Sequence, residues 1–329
     1  AEHRVKVAPD GTFAVKFVKG DVKAGTENSK LKEEAYSLRV TPGGALITAM
    51  DTRGFYYGMK TLEQLLLRRG GTTTIAACDI VDWPDFEIRG FMNDVGRNYM
   101  PLPLIARELD SMAQLKLNVY HFHFTENPGW RLESKIYPEL NAPENYTRMP
   151  GKFYTQKEFK QLVEYCRLRN ILLIPEMDMP GHSQMFRKAL NVKMSDEKAT
   201  KALVALIKEL CSLVPKEKMP IIHIGTDEVR GKDEQVNNEI LKEYIHAVES
   251  CGRIPMRWQP GLTPKGYNGS IQQLWSGRQN RGAWPTDGAK YVDSLETYLN
   301  HLDPFETAMT MYFRRACPFR NAEGLGMML

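Results

Sequence analysis

Ile221-Ile222-His223-Ile224-Gly225-Thr226-Asp227-Glu228 is a short apolar run that ends in a glycine and an acid pair. An apolar run of this length bounded by turn residues suits a strand buried on both faces, as in a parallel sheet covered by helices. The flanking segments supply such helices. On the N-terminal side Ser195 opens a helical pattern with Leu203, Leu206, Ile207 and Leu210 on one face, closed by Pro215. On the C-terminal side Val236, Ile240, Leu241, Tyr244, Ile245 and Val248 form a second stripe, stopped by Gly252. One step further out, Thr155 and Glu158 make a capping box ahead of the Phe159, Leu162, Val163, Cys166 stripe. Strands are expected at 90–95, 118–124, 171–177, 221–225, 254–258, 270–275, 290–295 and 325–328. Eight strands with helical crossovers fit an α/β fold of the (β/α)8 TIM-barrel type better than an open doubly wound sheet. The crossovers after Trp258 are short and poorly helical.

Residues 1–84 have a different rhythm and read as a small α/β domain ahead of a barrel spanning 85–329. Phe13 to Val18, Ala35 to Val40 and Ala45 to Ala49 have strand character, and Tyr56 to Arg69 reads as a helix ended by Gly70-Gly71. Asp82-Trp83-Pro84-Asp85 reads as the linker. A hydrophobic fraction of 42% and a charged fraction of 26% place the chain among ordinary globular proteins. A net charge of +4 over 329 residues gives no electrostatic case for nucleic acid or an anionic membrane surface. No apolar run reaches the roughly 18 residues a membrane span needs. The opening Ala1-Glu2-His3-Arg4 has no signal-peptide character. The five cysteines are widely spaced, none in a CxxC arrangement, and read as free thiols.

Barrel enzymes carry their chemistry at the C-terminal ends of the strands. Just after the expected strands stand Asp94 and Arg97, Thr125-Glu126-Asn127, Glu176-Met177-Asp178 with His182, Thr226-Asp227-Glu228, Trp258-Gln259, Trp275, and Tyr298-Leu299-Asn300. Aromatic platforms separated by carboxylates and amides suit a sugar, whose C–H faces stack while its hydroxyls need donors and acceptors. Neighbouring side chains on a strand point to opposite faces, so Asp227 and Glu228 serve one site only if the chain turns out of the strand at Gly225. Two converging carboxylates split their pKa values, leaving one as an acid and one as an anion. The dipeptide alone equally fits a surface pair at a helix N-terminus. Trp258 and Trp275 also fit plain packing, and Arg89 fits a structural ion pair. His121-Phe122-His123 puts two histidines on one strand face, the beginning of a metal-dependent hydrolase site. Such a site needs further ligands on later strands, where tryptophans stand instead.

Taken together the motifs resemble glycoside hydrolase family 20, the β-N-acetylhexosaminidases. The resemblance runs from Glu34-Ala35-Tyr36-Ser37-Leu38-Arg39-Val40 and Gly54-Phe55-Tyr56-Tyr57-Gly58 through Arg89-Gly90-Phe91-Met92-Asn93-Asp94-Val95, Asn118 to Thr125, Pro175-Glu176-Met177-Asp178-Met179-Pro180-Gly181-His182 and His223 to Val229. It implies an exo-acting, retaining hydrolase of terminal GlcNAc or GalNAc in an oligosaccharide or glycoconjugate. The acetamide of the substrate would be the nucleophile, through an oxazolinium intermediate. Glu228 would be the acid and base, and Asp227 would hold the acetamide N–H. Tyr298 would bind the acetamide oxygen, Arg89 and Asn300 the ring hydroxyls, and Trp258 and Trp275 would wall the sugar. Asp178 and His182 would form a relay tuning Glu228. No metal or cofactor is implied, nor nucleic acid or a membrane span, and the oligomeric state is left open; an extracytoplasmic setting (periplasmic, secreted or lysosome-like) is expected. The sequence departs from the pattern at Thr226, where a glycine is usual, at Glu126-Asn127, where two acids are common, and at Gln259, where a carboxylate often stands. The chain also stops at Leu329, just as the eighth strand should end and where the family usually continues, so either the barrel is left incomplete at its C-terminal end or its last segment differs from the family's. A catalytically silent amino-sugar-binding barrel, or a metal-dependent hydrolase using His121 and His123, are the alternative readings.

Overall fold

A computed structural model describes residues 13–69, 72–231, 236, 238–264, 266–276, 284–295, 297–299 and 304–329. The chain divides into two compact units, Ala1–Glu87 and Ile88–Leu329. In the first, strands Ala14–Lys19, Gly44–Ala49, Tyr36–Thr41 and Cys78–Asp82 form one sheet in that spatial order. Ala14–Lys19 runs parallel to its neighbour and the other pairs are antiparallel. Helix Thr52–Gln64 starts where the Asp51 side chain accepts from the Arg53 N–H at 3.1 Å. Its Gly54 and Gly58 let it lie close on the sheet, since a Cβ on them would stand 2.3 Å from the Ala35 carbonyl and 2.6 Å from Ile47. The helix ends five residues earlier than its sequence suggests. Leu66–Arg69 instead pairs as a strand with Thr72–Ile75: with no helical partner beyond Gln64, the β-prone Thr72-Thr73-Thr74-Ile75 segment captures it.

The second unit is a closed barrel of parallel strands. We label them β1 (Ile88–Asp94), β2 (Val119–His123), β3 (Leu172–Glu176), β4 (Ile221–His223), β5 (Ile254–Gln259), β6 (Ile271–Leu274), β7 (Lys290–Asp293) and β8 (Glu323–Met328). Every strand supplies at least one residue to the interior layer: Ile88, Val119, Ile174, Ile221, Met256, Ile271, Val292, Leu325 and Met328. The first crossovers carry amphipathic helices Leu102–Gln114, Gln156–Arg167, Glu197–Leu213 and Asn238–Ser250. Thr155 and Glu158 do cap the second of these reciprocally. Among the described residues no helix joins β5 to β6 or β6 to β7, and Pro304–Phe313 lies between β7 and β8.

The reading of an incomplete barrel is overturned. β8 pairs with β1, with Gly326 opposite Ile88, and closes the ring. Gly326 has φ +145°, and a Cβ there would stand 1.8 Å from the Ile88 carbonyl oxygen, so the seam needs a residue without one. The terminal Leu329 extends the seam: the Met92 N–H donates to its carbonyl at 2.9 Å.

Candidate active site

The residues following β4 leave strand geometry at once. Gly225, Thr226 and Glu228 have φ of +69°, +94° and +42°. This turn places Asp227 and Glu228, which a straight strand would separate, on the wall of one cavity of about 1010 Å³ at the C-terminal mouth of the barrel. Gly225 is forced by a neighbour: a Cβ there would lie 1.8 Å from Asp178 Oδ1.

Asp178, His182, Trp258, Trp275 and Tyr298 line the same cavity. Trp258 is buried, and its indole Nε1 donates to Glu176 Oε1 at 2.6 Å. Trp275 Nε1 donates to the Pro260 carbonyl at 2.7 Å, which fixes its ring on the rim. One assigned residue falls elsewhere. Arg89 sits near the N-terminal end of β1, away from the cavity lining, and its Nε donates to the Lys116 carbonyl at 2.9 Å. The assignment to ring hydroxyls therefore has no geometric support: the strand carries Asp94, not Arg89, to the mouth. Asn300 lies outside the described residues.

His182 lies behind the acid pair with Nε2 3.4 Å from Glu228 Oε2 and 3.8 Å from Asp227 Oδ2. Its Nδ1 is 2.5 Å from Glu126 Oε1, which orients the ring, and a carboxylate oxygen of Asp178 lies within 4.8 Å of a ring nitrogen, so Glu126 joins the expected Asp178–His182 pair. Burial opposes a charge on His182, but the Glu126 and Asp227 carboxylates outweigh it and raise its pKa. Arg97 ion-pairs with both Asp94 and Glu126. Glu126 and Arg97 follow the ends of β2 and β1; their positions were visible in the sequence, but their pairing needed the fold.

Asp227 is nine-tenths buried, and burial pushes its pKa up to about 6; the His182 ring pulls it back, while the Glu176 charge adds to the rise. Glu228 is more open, with Oε1 accepting from Arg230 at 2.5 Å. Asp178 is fully buried, and burial followed by the charges of Asp227, Glu176 and Glu126 pushes its carboxyl well above the carboxylate range. The three carboxyl groups therefore differ in setting, from the fully buried Asp178 to the more open Glu228.

The two histidines of β2 do not face an open ligand position. Both meet the buried Glu176 carboxylate, His121 Nε2 at 2.8 Å and His123 Nδ1 at 2.5 Å, and His223 Nδ1 lies 3.1 Å from it. Burial alone would raise the Glu176 carboxyl, but the three imidazoles overcome it and hold it well below the usual range. His123 rises to about 9 although burial opposes its charge, because the Glu176 and Asp94 carboxylates face it. His223, which accepts from the Gly225 N–H at 3.1 Å, is pushed by burial down to about 4.

A closed parallel barrel thus gathers carboxylates of differing burial, an oriented histidine and indole rings at its C-terminal mouth. The chain matches the family models described as glycosyl hydrolase family 20, catalytic domain, over residues 86–200 and glycosyl hydrolase family 20, domain 2, over residues 2–83. It belongs to glycoside hydrolase family 20. A beta-hexosaminidase from Porphyromonas gingivalis is 39% identical over 166 residues, 46% of this chain and 21% of that protein. Beta-hexosaminidase subunit beta from Mus musculus is 32% identical over 284 residues, 74% of this chain and 52% of that one. A mutant Streptomyces plicatus beta-hexosaminidase, solved with its product GlcNAc, shares the fold with a TM-score of 0.82 at 22% identity, over 97% of this chain and 73% of its own. The matches to these two hexosaminidase sequences thus span about a fifth to a half of their lengths.

Proposed function

We propose that the protein is a retaining exo-β-N-acetylhexosaminidase that removes terminal β-linked GlcNAc or GalNAc, with the substrate's own acetamide as nucleophile. The observation that carries the reading is the division of labour in the acid pair. Asp227 is buried in the wall of the cavity that Trp258 also lines, and Glu228 is the accessible member with His182 behind it. The name of the sequence relatives, beta-hexosaminidase, supports the same substrate class.

In this mechanism the acetamide oxygen attacks the anomeric carbon as the glycosidic C–O bond breaks. Glu228 gives its proton to the leaving oxygen, then takes one from the water that opens the oxazolinium ring. Asp227 as an anion accepts the acetamide N–H and balances the positive charge that develops on the ring. Trp258 and Trp275 wall the acetamide and sugar faces, and Tyr298 donates to the acetamide oxygen. Glu126 keeps the His182 proton on Nδ1, so that Nε2 faces the acid pair. The test is hydrolysis of aryl N-acetylglucosaminides and N-acetylgalactosaminides. Glu228→Gln is expected to fold as the parent does while activity falls by about 10²-fold or more through loss of acid–base help. Asp227→Asn is expected to be severely impaired with both aryl sugars. Parent-like turnover in Glu228→Gln would sink the reading, and a mild Asp227→Asn effect would remove the acetamide from it.

A further inference from the structure

Asp178, His182 and Asp227 each bring one donor atom to within 4.8 Å of the other two. Glu228 Oε2 approaches the same His182 Nε2 to 3.4 Å. We propose that these four side chains form a binding site for a divalent cation of the zinc class, whose occupation closes the cavity to the sugar. The blocking part rests on the function proposed above; the binding part does not.

The spacing carries the inference. Ligands about 2.1 Å from a tetrahedral ion stand roughly 3.4 Å from one another. His182 Nε2 lies 3.4 Å from Glu228 Oε2 and 3.8 Å from Asp227 Oδ2, so an ion enters with small side-chain adjustments. The histidine is already set for it. Glu126 at 2.5 Å from Nδ1 leaves the Nε2 lone pair facing the cavity, the arrangement that stands behind metal-bound histidines. A second observation points the same way. Asp178 is 1% exposed and lines the cavity, yet only the Thr226 backbone N–H is placed to donate to its carboxylate, and Asp227 Oδ1 has no partner. Buried oxygens left so are costly, and a cation satisfies them.

One nitrogen with three carboxylates suits zinc better than magnesium or calcium, which take all-oxygen shells. The histidines around Glu176 also gather within 4.8 Å, but more tightly than the ligands of an ion stand from one another. Around Glu176 the imidazole nitrogens stand at 2.5, 2.8 and 3.1 Å, and Trp258 occupies Oε1, so no ion fits between them. Arg97 is the opposing charge, 3.5 Å from His182 Nδ1, but it is ion-paired with Asp94 and Glu126.

The test is calorimetric titration of zinc chloride into chelator-treated protein. One zinc per chain is expected. Asp178→Asn and His182→Gln should each weaken binding at least tenfold, and Glu126→Gln by about 10- to 100-fold through loss of the ring's orientation. His246→Gln, on the exposed face of Asn238–Ser250, should leave it unchanged. X-ray absorption of the zinc-loaded parent needs no variant and should show one imidazole among oxygens. No binding, two or more imidazoles, or a sulfur ligand would overturn the site. Hydrolysis of aryl N-acetylglycosides untouched by stoichiometric zinc would overturn the blocking alone. Zinc binding by a chain that hydrolyses none of these substrates would leave the site standing and remove the proposed function.

Discussion

Thr226 holds a backbone conformation that favours glycine: φ is +94°, and the side chain is fully buried. A β-branched residue there stores about 1–3 kcal/mol of strain. Its compensation is packing, since the hydroxyl lies close to the Trp258 carbonyl, at 3.5 Å, and leaves no room for a Cβ at Gly261. Thr226→Ala keeps the unfavourable φ and loses the packing, whereas Thr226→Gly loses the packing and the strain together. The usual order of stability therefore reverses, and thermal melts should place the glycine variant above the alanine variant. The neighbouring Asp227 gives a pH prediction with a definite sign. Its carboxyl must be an anion to accept the acetamide N–H, and burial holds its pKa at about 6. Activity as kcat/KM should fall as pH drops through about 6. The same raised pKa makes the folded state the better proton binder, so this group's contribution to stability declines as pH rises through the same region. A pH–rate profile whose acid limb survives unchanged in the residual activity of Asp227→Asn would assign that limb to another group.

At the scale of elements, β2, β3, β4 and β5 are tied by one buried carboxylate. Glu176 gathers His121 and His123 from β2, His223 after β4's apolar run, and the Trp258 indole from β5. Glu176→Gln leaves these imidazoles and the indole around a neutral amide. Removing one partner of a buried ion pair costs about 3–5 kcal/mol, so a clear drop in melting temperature is expected. A second effect separates this network from simple packing. Glu176 helps raise the Asp227 pKa, so the acid limb of kcat/KM should move to lower pH in the variant, while a packing defect would leave it in place. Of this element-level picture the sequence shows half. Period-2 alternation puts His121 and His123 on one face, and the apolar run followed by Gly225 announces the turn that joins Asp227 to Glu228. What lies opposite the histidines depends on strand register, which sets His121 against Ile174 and His123 against Glu176. Register is a property of two strands, and no single segment states it. The same limit explains Arg89, read from a motif as a ligand but carried by its strand position to the far end from the mouth.

The whole barrel depends on a contact between segments more than two hundred residues apart. The alternation of strands and helices reveals the fold class from 118 to 258, where crossovers are long and amphipathic. It fades after Trp258, where strands follow one another without helices among the described residues, and there closure cannot be foreseen from pattern. Gly326 makes the closure testable. Its φ of +145° and the 1.8 Å approach of a would-be Cβ to the Ile88 carbonyl exist only because β8 lies against β1. Gly326→Ala must push the two strands apart or twist the backbone, at a cost of roughly 3 kcal/mol or more. For a unit of this size that corresponds to a fall of about 6–12 °C in melting temperature. Gly288 supplies the comparison: its φ is +72°, but nothing lies within 4 Å of a Cβ there, so Gly288→Ala should cost only about 1 kcal/mol. Melts followed by circular dichroism would show the two alanines well apart. Were they to melt together, β8 would not be pressed on β1, and the ring would be open.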